Sequence, residues 1–108
     1  MMQRFKLVFF APVSATQPVL QHLFTTFPQH VGRIGAYGGC AFVSRGTGQF
    51  TPQAGAQPAI GTVGVPERVE EDRVEVLVRG EVRRVLEELK KIHPYEEVAY
   101  DVYRLEEL

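Results

Sequence analysis

His93, Glu96 and Glu97 fall within five positions of one another in the stretch IHPYEEVAYDVY, residues 92–103. The carboxylates stand three and four positions after the imidazole. Pro94 breaks any helix between them, so imidazole and carboxylate can converge at a corner of the chain. That donor set suits zinc or another divalent ion. It is an incomplete shell, and closing it calls for water, His30, Tyr37, Cys40 or a neighbouring subunit. The plainer reading of the same residues is a helix end and a strand entry. There His93 caps the last carbonyls, Tyr95 packs, and a glutamate pairs with Arg33 or Arg45. Acid–base catalysis would need a perturbed pKa and a substrate pocket, neither of which a sequence displays, so no catalytic residue is assigned.

A second set of candidates lies in the glycine-rich centre, residues 32–64, which holds nine of the chain's ten glycines. GRIG (32–35) and RGTG (45–48) could cradle an anion through backbone N–H groups. This makes Arg33, Tyr37, Arg45, Gly46 and Gly48 the candidate ligand-binding residues. Neither motif is a Walker loop or a dinucleotide-binding loop, and short glycine pairs also serve ordinary turns. Cys40 is the one cysteine. It excludes an intramolecular disulfide and a multi-thiolate zinc site, and it suits a reducing cytosol. Beside Tyr37 and Phe42 it reads as a buried, inert thiol; as a nucleophile it would need His30 or His93 as base. His22 lies off its helix's apolar stripe and reads as solvated. Tyr95, Tyr100 and Tyr103 could stack on bases. However, twelve basic and thirteen acidic residues leave a net charge of -1, which gives no reason to propose nucleic acid or a membrane as partner. Strand packing or a subunit interface fits these tyrosines better.

The elements that must position these residues follow from periodicity. A chain of 108 residues with 44% hydrophobic content is one domain's worth and needs no metal or disulfide to fold. FKLVFFA (5–11) is apolar on both alternating faces, as in a central strand covered on both sides. The opening apolar run is too short for a leader's core, so it reads as this strand. No apolar stretch approaches the ~20 residues of a membrane span, and a cytoplasmic location is expected. Residues 14–27 carry Val19, Leu20, Leu23, Phe24 and Phe27 on one helical stripe, with Ser14 and Gln17 as a capping box and Pro18 in the first turn. CAFVS and QFT flank RGTG as a hairpin. DRVEVLV (72–78) alternates as a strand. Residues 80–94 form a second helix with Val82, Val85, Leu86, Leu89 and Ile92 inward and a Glu87–Lys91 pair outward. VAYDVYRL (98–105) is the last strand. The order β-α-β-β-β-α-β, with its extra central strand, gives an α+β, ferredoxin-like split βαβ fold whose central hairpin is elaborated.

Three segments, GRIGAYGGCAFVSRGTGQFTP, GAQPAIGTVGVPERVEEDRVEVLV and HPYEEVAYDVY, together resemble the PII/CutA-like domain of YqfO-type proteins, the Nif-three-like (NGG-one-interacting-factor-three-like) family. The resemblance covers nearly the whole chain. Two positions depart from the family pattern: Ala36, where a polar residue is usual, and Val98, where a second proline is common. The resemblance implies a PII/CutA-like sandwich over residues 1–108 that forms homo-oligomers, trimers foremost. It also implies that the family's dinuclear metal site, and any GTP-cyclohydrolase-type activity, belong to two flanking lobes outside these residues. The expected function is therefore a small regulatory module that binds a metal, zinc foremost, or a small ligand without catalysing a reaction. The alternatives are an accessory domain or homologue of a metal-dependent hydrolase, with a separately encoded YqfO-type protein as partner, and a purely structural oligomerisation domain.

Overall fold

β1 (Arg4–Pro12), with Phe5, Leu7 and Phe9 on one face and Val8 and Phe10 beside Arg4 and Lys6 on the other, lies inside the sheet. In the computed structural model, which describes residues 2–108, β1 pairs antiparallel with β3 (Glu67–Arg79) on one side and β4 (Tyr100–Leu105) on the other. β2 (Phe42–Phe50) adds to the far side of β3, giving the order β2-β3-β1-β4. Helices α1 (Thr16–Thr26) and α2 (Val82–Ile92) are the two crossovers, and both cover the same face. The register sets Leu7 against Val76 and Phe9 against Val74. These four bury completely or nearly so beneath Val19, Leu20, Leu23, Val85 and Leu89. Each large apolar side chain so buried contributes about 1.5–3 kcal/mol, so this layer supplies the main driving force of the fold.

The helix stripes fall where the periodicity places them, but three local details differ. Ser14 and Gln17 form no capping box. α1 begins at Thr16 behind a short 3-10 turn, Val13–Ala15, and no side chain caps it. The Thr16 hydroxyl instead donates to the Asp72 carboxylate at 2.6 Å, bolting the helix start to β3. Lys91 pairs with Glu88 at 3.4 Å rather than with Glu87. Glu88 also meets His22 at 3.2 Å, so His22 bridges the two helices and is not simply solvated. That contact with His22 is the main reason the Glu88 carboxyl titrates below its usual range.

The larger correction concerns RGTG. It is no turn: Arg45, Gly46, Thr47 and Gly48 run through the middle of β2, whose ladder to β3 extends from the Phe42–Glu75 pair to Phe50–Glu67. Glycine marks turns when it supplies positive φ, yet an edge strand held by one ladder also accepts it. β3 accordingly starts at Glu67, not at 72, and residues 51–66 make the connection. Most of β2 and the first part of β3 project beyond the helical layer, so they show no apolar alternation. The chain's true glycine-dependent bend is at Gly32. Its φ is +68°, and a Cβ there would press on the Phe24 ring at 2.6 Å and the Cys40 carbonyl at 2.8 Å.

Candidate functional site

β2, having passed Gly48, delivers Phe50 to one end of the sheet, where α2 also ends. Pro94 stops the helix there, and residues 93–99 turn back into β4. Between them lies a cleft of about 400 Å³. One wall is Gly48, Phe50 and the connection's Pro52, Pro58 and Ile60; the other is Tyr95, Glu96, Glu97 and Ala99; Phe10 and Glu71 of the sheet reach in between. The connection is pinned across the cleft by the Gln57 N–H, which donates to the Glu96 carboxylate at 2.8 Å. The Phe50 and Tyr95 rings lie tilted at 52° with centroids 6.5 Å apart.

His93 is the hinge of this site and faces inward, 6% exposed. Nε2–H donates to the Phe10 carbonyl at 2.7 Å, and Nδ1 accepts the Tyr95 N–H at 3.1 Å. Those two bonds define a neutral tautomer. Burial holds its pKa below the usual imidazole value, although the Phe10 carbonyl and the Glu71 charge push the other way. The ring therefore fixes where Tyr95 stands relative to β1. The Tyr95 hydroxyl is buried with no hydrogen-bond partner. Its pKa is pushed up to about 12, by burial first and by the nearby Glu71 charge second. Among the described residues the Glu71 carboxylate is the acceptor that comes near that hydroxyl, short of hydrogen-bond geometry. The Glu71 side chain lies over Gly48, where any Cβ would collide with its carboxylate. Glycine at 48 is what lets Glu71 fold across the strand into the cleft.

The chain has relatives of known sequence and structure. No protein-family model matches it. The Mycobacterium tuberculosis protein named GTP cyclohydrolase 1 type 2 homolog is 49% identical over 80 residues, 73% of this chain and 21% of that protein. The Halalkalibacterium halodurans protein of the same name is 43% identical over 102 residues, 94% of this chain and 27% of that protein. The crystal structure of a Bacillus cereus protein related to NIF3 superposes with a TM-score of 0.80 at 40% identity, covering 98% of this chain and 26% of that one. The chain is homologous to a segment of the NIF3-related proteins. It spans between 21% and 27% of the length of those two curated relatives. CutA1 from Ehrlichia chaffeensis superposes with a TM-score of 0.72 at 14% identity, and the GlnK–ATP complex of B. subtilis with 0.58 at 16%. At such identities these two establish the fold: an α+β, ferredoxin-like sandwich of the CutA and PII type.

In this NIF3-related chain the residues expected to act together are partly assembled. Gly48, Glu96 and Glu97 line one cleft. Arg45 and Gly46 border a smaller hollow beside it, about 280 Å³, which shares Phe10, Gly48 and Glu71 and adds Arg73. Arg45 is tied to the buried Asp72 at 2.9 Å, not to Glu96 or Glu97. The Thr16 hydroxyl, and secondarily Arg45, hold the Asp72 carboxyl below its usual pKa against the effect of burial. Arg33 is at the other end of the sheet, its Nε donating to the Gly35 carbonyl at 2.7 Å. Tyr37 is exposed on the loop before β2. Cys40 also lies on that loop, half-buried, with Gly38 O 3.8 Å from its thiol, so it is not the strand-buried residue expected.

A metal set built on His93, Glu96 and Glu97 does not form within one chain. Both imidazole nitrogens are engaged and Glu96 holds the connection. Among the described residues no three His, Cys, Asp or Glu side chains converge on one point. The residues that sequence reasoning missed are Phe50, Tyr95, Glu71 and the 51–60 stretch. Tyr95 sat in view in HPYEE; the rest meet it only through long-range pairing.

Proposed function

We propose that this chain is a ligand-binding module without catalytic chemistry of its own, and that its cleft takes a flat heterocycle carrying N–H donors. The observation that carries this is the buried, unpartnered Tyr95 hydroxyl set beside Phe50 under three carboxylates. Carboxylates accept and cannot donate, so Glu71, Glu96 and Glu97 select for a ligand that brings hydrogens. The aromatic and proline walls accommodate a planar ring, and the hydroxyl supplies one directed bond. A guanine base meets these terms, since its N1–H and N2–H₂ edge matches a carboxylate. The relatives' name refers to GTP, which agrees with that choice. Arg73 in the adjoining hollow stands where an anionic substituent would emerge.

A divalent metal is the weaker form of the same proposal, because Nδ1 of His93, the nitrogen without a proton, must first release the Tyr95 N–H. The activities of the longer relatives are not assigned to this chain. Self-association, trimeric by the family resemblance, is part of the proposal. Both sheet edges, β2 and β4, are unpaired within the chain and carry exposed Phe42 (65%) and Tyr103 (52%). Unpaired apolar edges of this kind recruit further strands.

Isothermal titration with guanosine tests the cleft. Binding that weakens at least about tenfold in Tyr95→Ala and in Glu97→Gln supports it. Unaltered affinity in both variants would place the ligand elsewhere.

A further inference from the structure

The other end of the sheet carries a different chemistry. Arg4 of β1 stands directly opposite Arg79 of β3 in the antiparallel register. Phe5, Leu7 and Val78 take the helix side, so alternation puts Arg4, Lys6, Leu77 and Arg79 on the opposite face. Like charges directly across a ladder repel, and a sheet gains nothing structural from pairing two arginines there. Lys6 follows two residues along, and Arg33 reaches in from the loop after α1. These four cations surround one cavity of about 490 Å³, floored by Leu77 and flanked by Ile34. In a chain of net charge -1 that concentration is local, not a reflection of overall basicity.

Two of these cations already pair with a carboxylate. Glu107 approaches Arg79 Nη2 at 3.3 Å and Arg4 Nε at 3.8 Å, and Arg4 Nη1 donates to the Glu106 carbonyl at 2.9 Å. Arg4 and Arg79 are each 32% exposed and Glu107 38%, so these are loose, solvent-screened pairs. Neither Lys6 nor Arg33 has an acidic partner among the described residues; Arg33 is braced by Gly35 O and by Gln29 Oε1 at 3.3 Å. One carboxylate thus answers two of four cations.

We propose that this cavity is a binding site for a small polyphosphate anion, with Glu107 as an internal competitor for Arg4 and Arg79. An extended anion with several charged groups spans both rungs of the ladder, Arg4–Arg79 and Lys6, where a single carboxylate spans one. Arginine forks bind phosphate oxygens in bidentate fashion, and the buried Leu77 beneath them keeps the floor dry. Along β1 the site begins about 13 Å from the cleft at Lys6 and reaches about 20 Å at Arg4, so guanosine and tripolyphosphate probe the two separately.

Calorimetric titration of the intact chain with inorganic tripolyphosphate tests this, with orthophosphate as a second arm. Tripolyphosphate is expected to bind more tightly than orthophosphate, and both to weaken with added salt. Arg79→Gln and Arg4→Gln are each expected to weaken tripolyphosphate about tenfold or more. Glu107→Gln is expected to tighten it by about two- to fivefold, since a competing ion pair is removed. Tyr95→Ala is expected to leave it unchanged. The Arg4, Arg79 and Glu107 substitutions lie at the surface and leave the core untouched, and circular dichroism confirms the fold of every variant. The proposal is overturned if tripolyphosphate gives no saturable heat at millimolar concentration, if the arginine variants bind as the parent does, or if Glu107→Gln weakens binding.

Discussion

Replacing His93 by phenylalanine separates a structural imidazole from a metal-ligating one. Phenylalanine fills nearly the same space, so little cavity term arises. What is lost is two hydrogen bonds, and the Phe10 carbonyl and Tyr95 N–H are left without partners. Each stranded backbone group costs about 1–3 kcal/mol when buried, so the variant should lose about 2–4 kcal/mol, allowing for partial access of water at the turn. For a chain of this size each kcal/mol moves Tm by roughly 4–8 °C, so the drop should be at least about 8 °C. The pH dependence gives a second, independent signature. Burial lowers the folded-state pKa of His93 below its unfolded value. The unfolded chain therefore takes up the proton first, and the stability contributed by the neutral ring is complete above about pH 6.5 and declines as pH falls below it. The slope cannot exceed about 1.4 kcal/mol per pH unit for one proton. Urea unfolding at pH 7.5 and pH 5.5 measures both effects. The parent should lose stability between the two, and His93→Phe should lose correspondingly less. A variant as stable as the parent, or a zinc-induced rise in Tm seen in the parent and absent from the variant, would refute this role for His93.

Three further outcomes are expected. Gly32→Ala forces a side chain into a left-handed backbone position against Phe24 and the Cys40 carbonyl; it should cost about 1–3 kcal/mol by thermal unfolding, and an unchanged Tm would contradict the bend described. Asp72→Asn removes a charged acceptor from the Thr16 hydroxyl and Arg45, and should cost about 1.5–3 kcal/mol at neutral pH. Because the Asp72 pKa is lowered in the folded state, its contribution is present above about pH 4 and lost as pH falls further, so the Asn variant should show a smaller acid-induced loss over that range. Sedimentation of the purified chain should give three times its 12.1 kDa mass, and Phe42→Glu on the β2 edge should shift it toward monomer; a parent that sediments as a monomer at tens of micromolar would remove the oligomeric part of the proposal.

What the sequence showed and what it hid divide along burial. β1 betrays its place inside the sheet through its apolar run, and Phe9 and Val8 are almost wholly buried on opposite sides, but both helices cover one face only and Arg4 and Lys6 stand on the other, so the strand is not covered on both sides as expected. The two helices declare themselves through stripes that end in Phe27 and Ile92. β2 was hidden because an exposed edge strand has no face to bury, so Gly46 and Gly48 read as a turn. The cleft was half legible. HPYEE and the Gly48–Phe50 motif each stood out, but that they form one site depends on the β2–β3 register and on the Gln57–Glu96 bond, which link positions 39 residues apart. His93 stood out as a candidate ligand, while its structural role stayed hidden. Its partner is the backbone carbonyl of Phe10, 83 positions away, and a backbone acceptor leaves no trace in side-chain identity.

The most direct test of the central claim is a ¹⁵N-resolved NMR titration of the chain with guanosine, which carries no phosphate to engage the basic cavity. The account predicts saturable shifts confined to Gly48, Phe50, residues 52–60 and residues 95–99, with little change at Arg4 or Arg79. No shifts at millimolar guanosine, or shifts centred away from Gly48 and Tyr95, would contradict it.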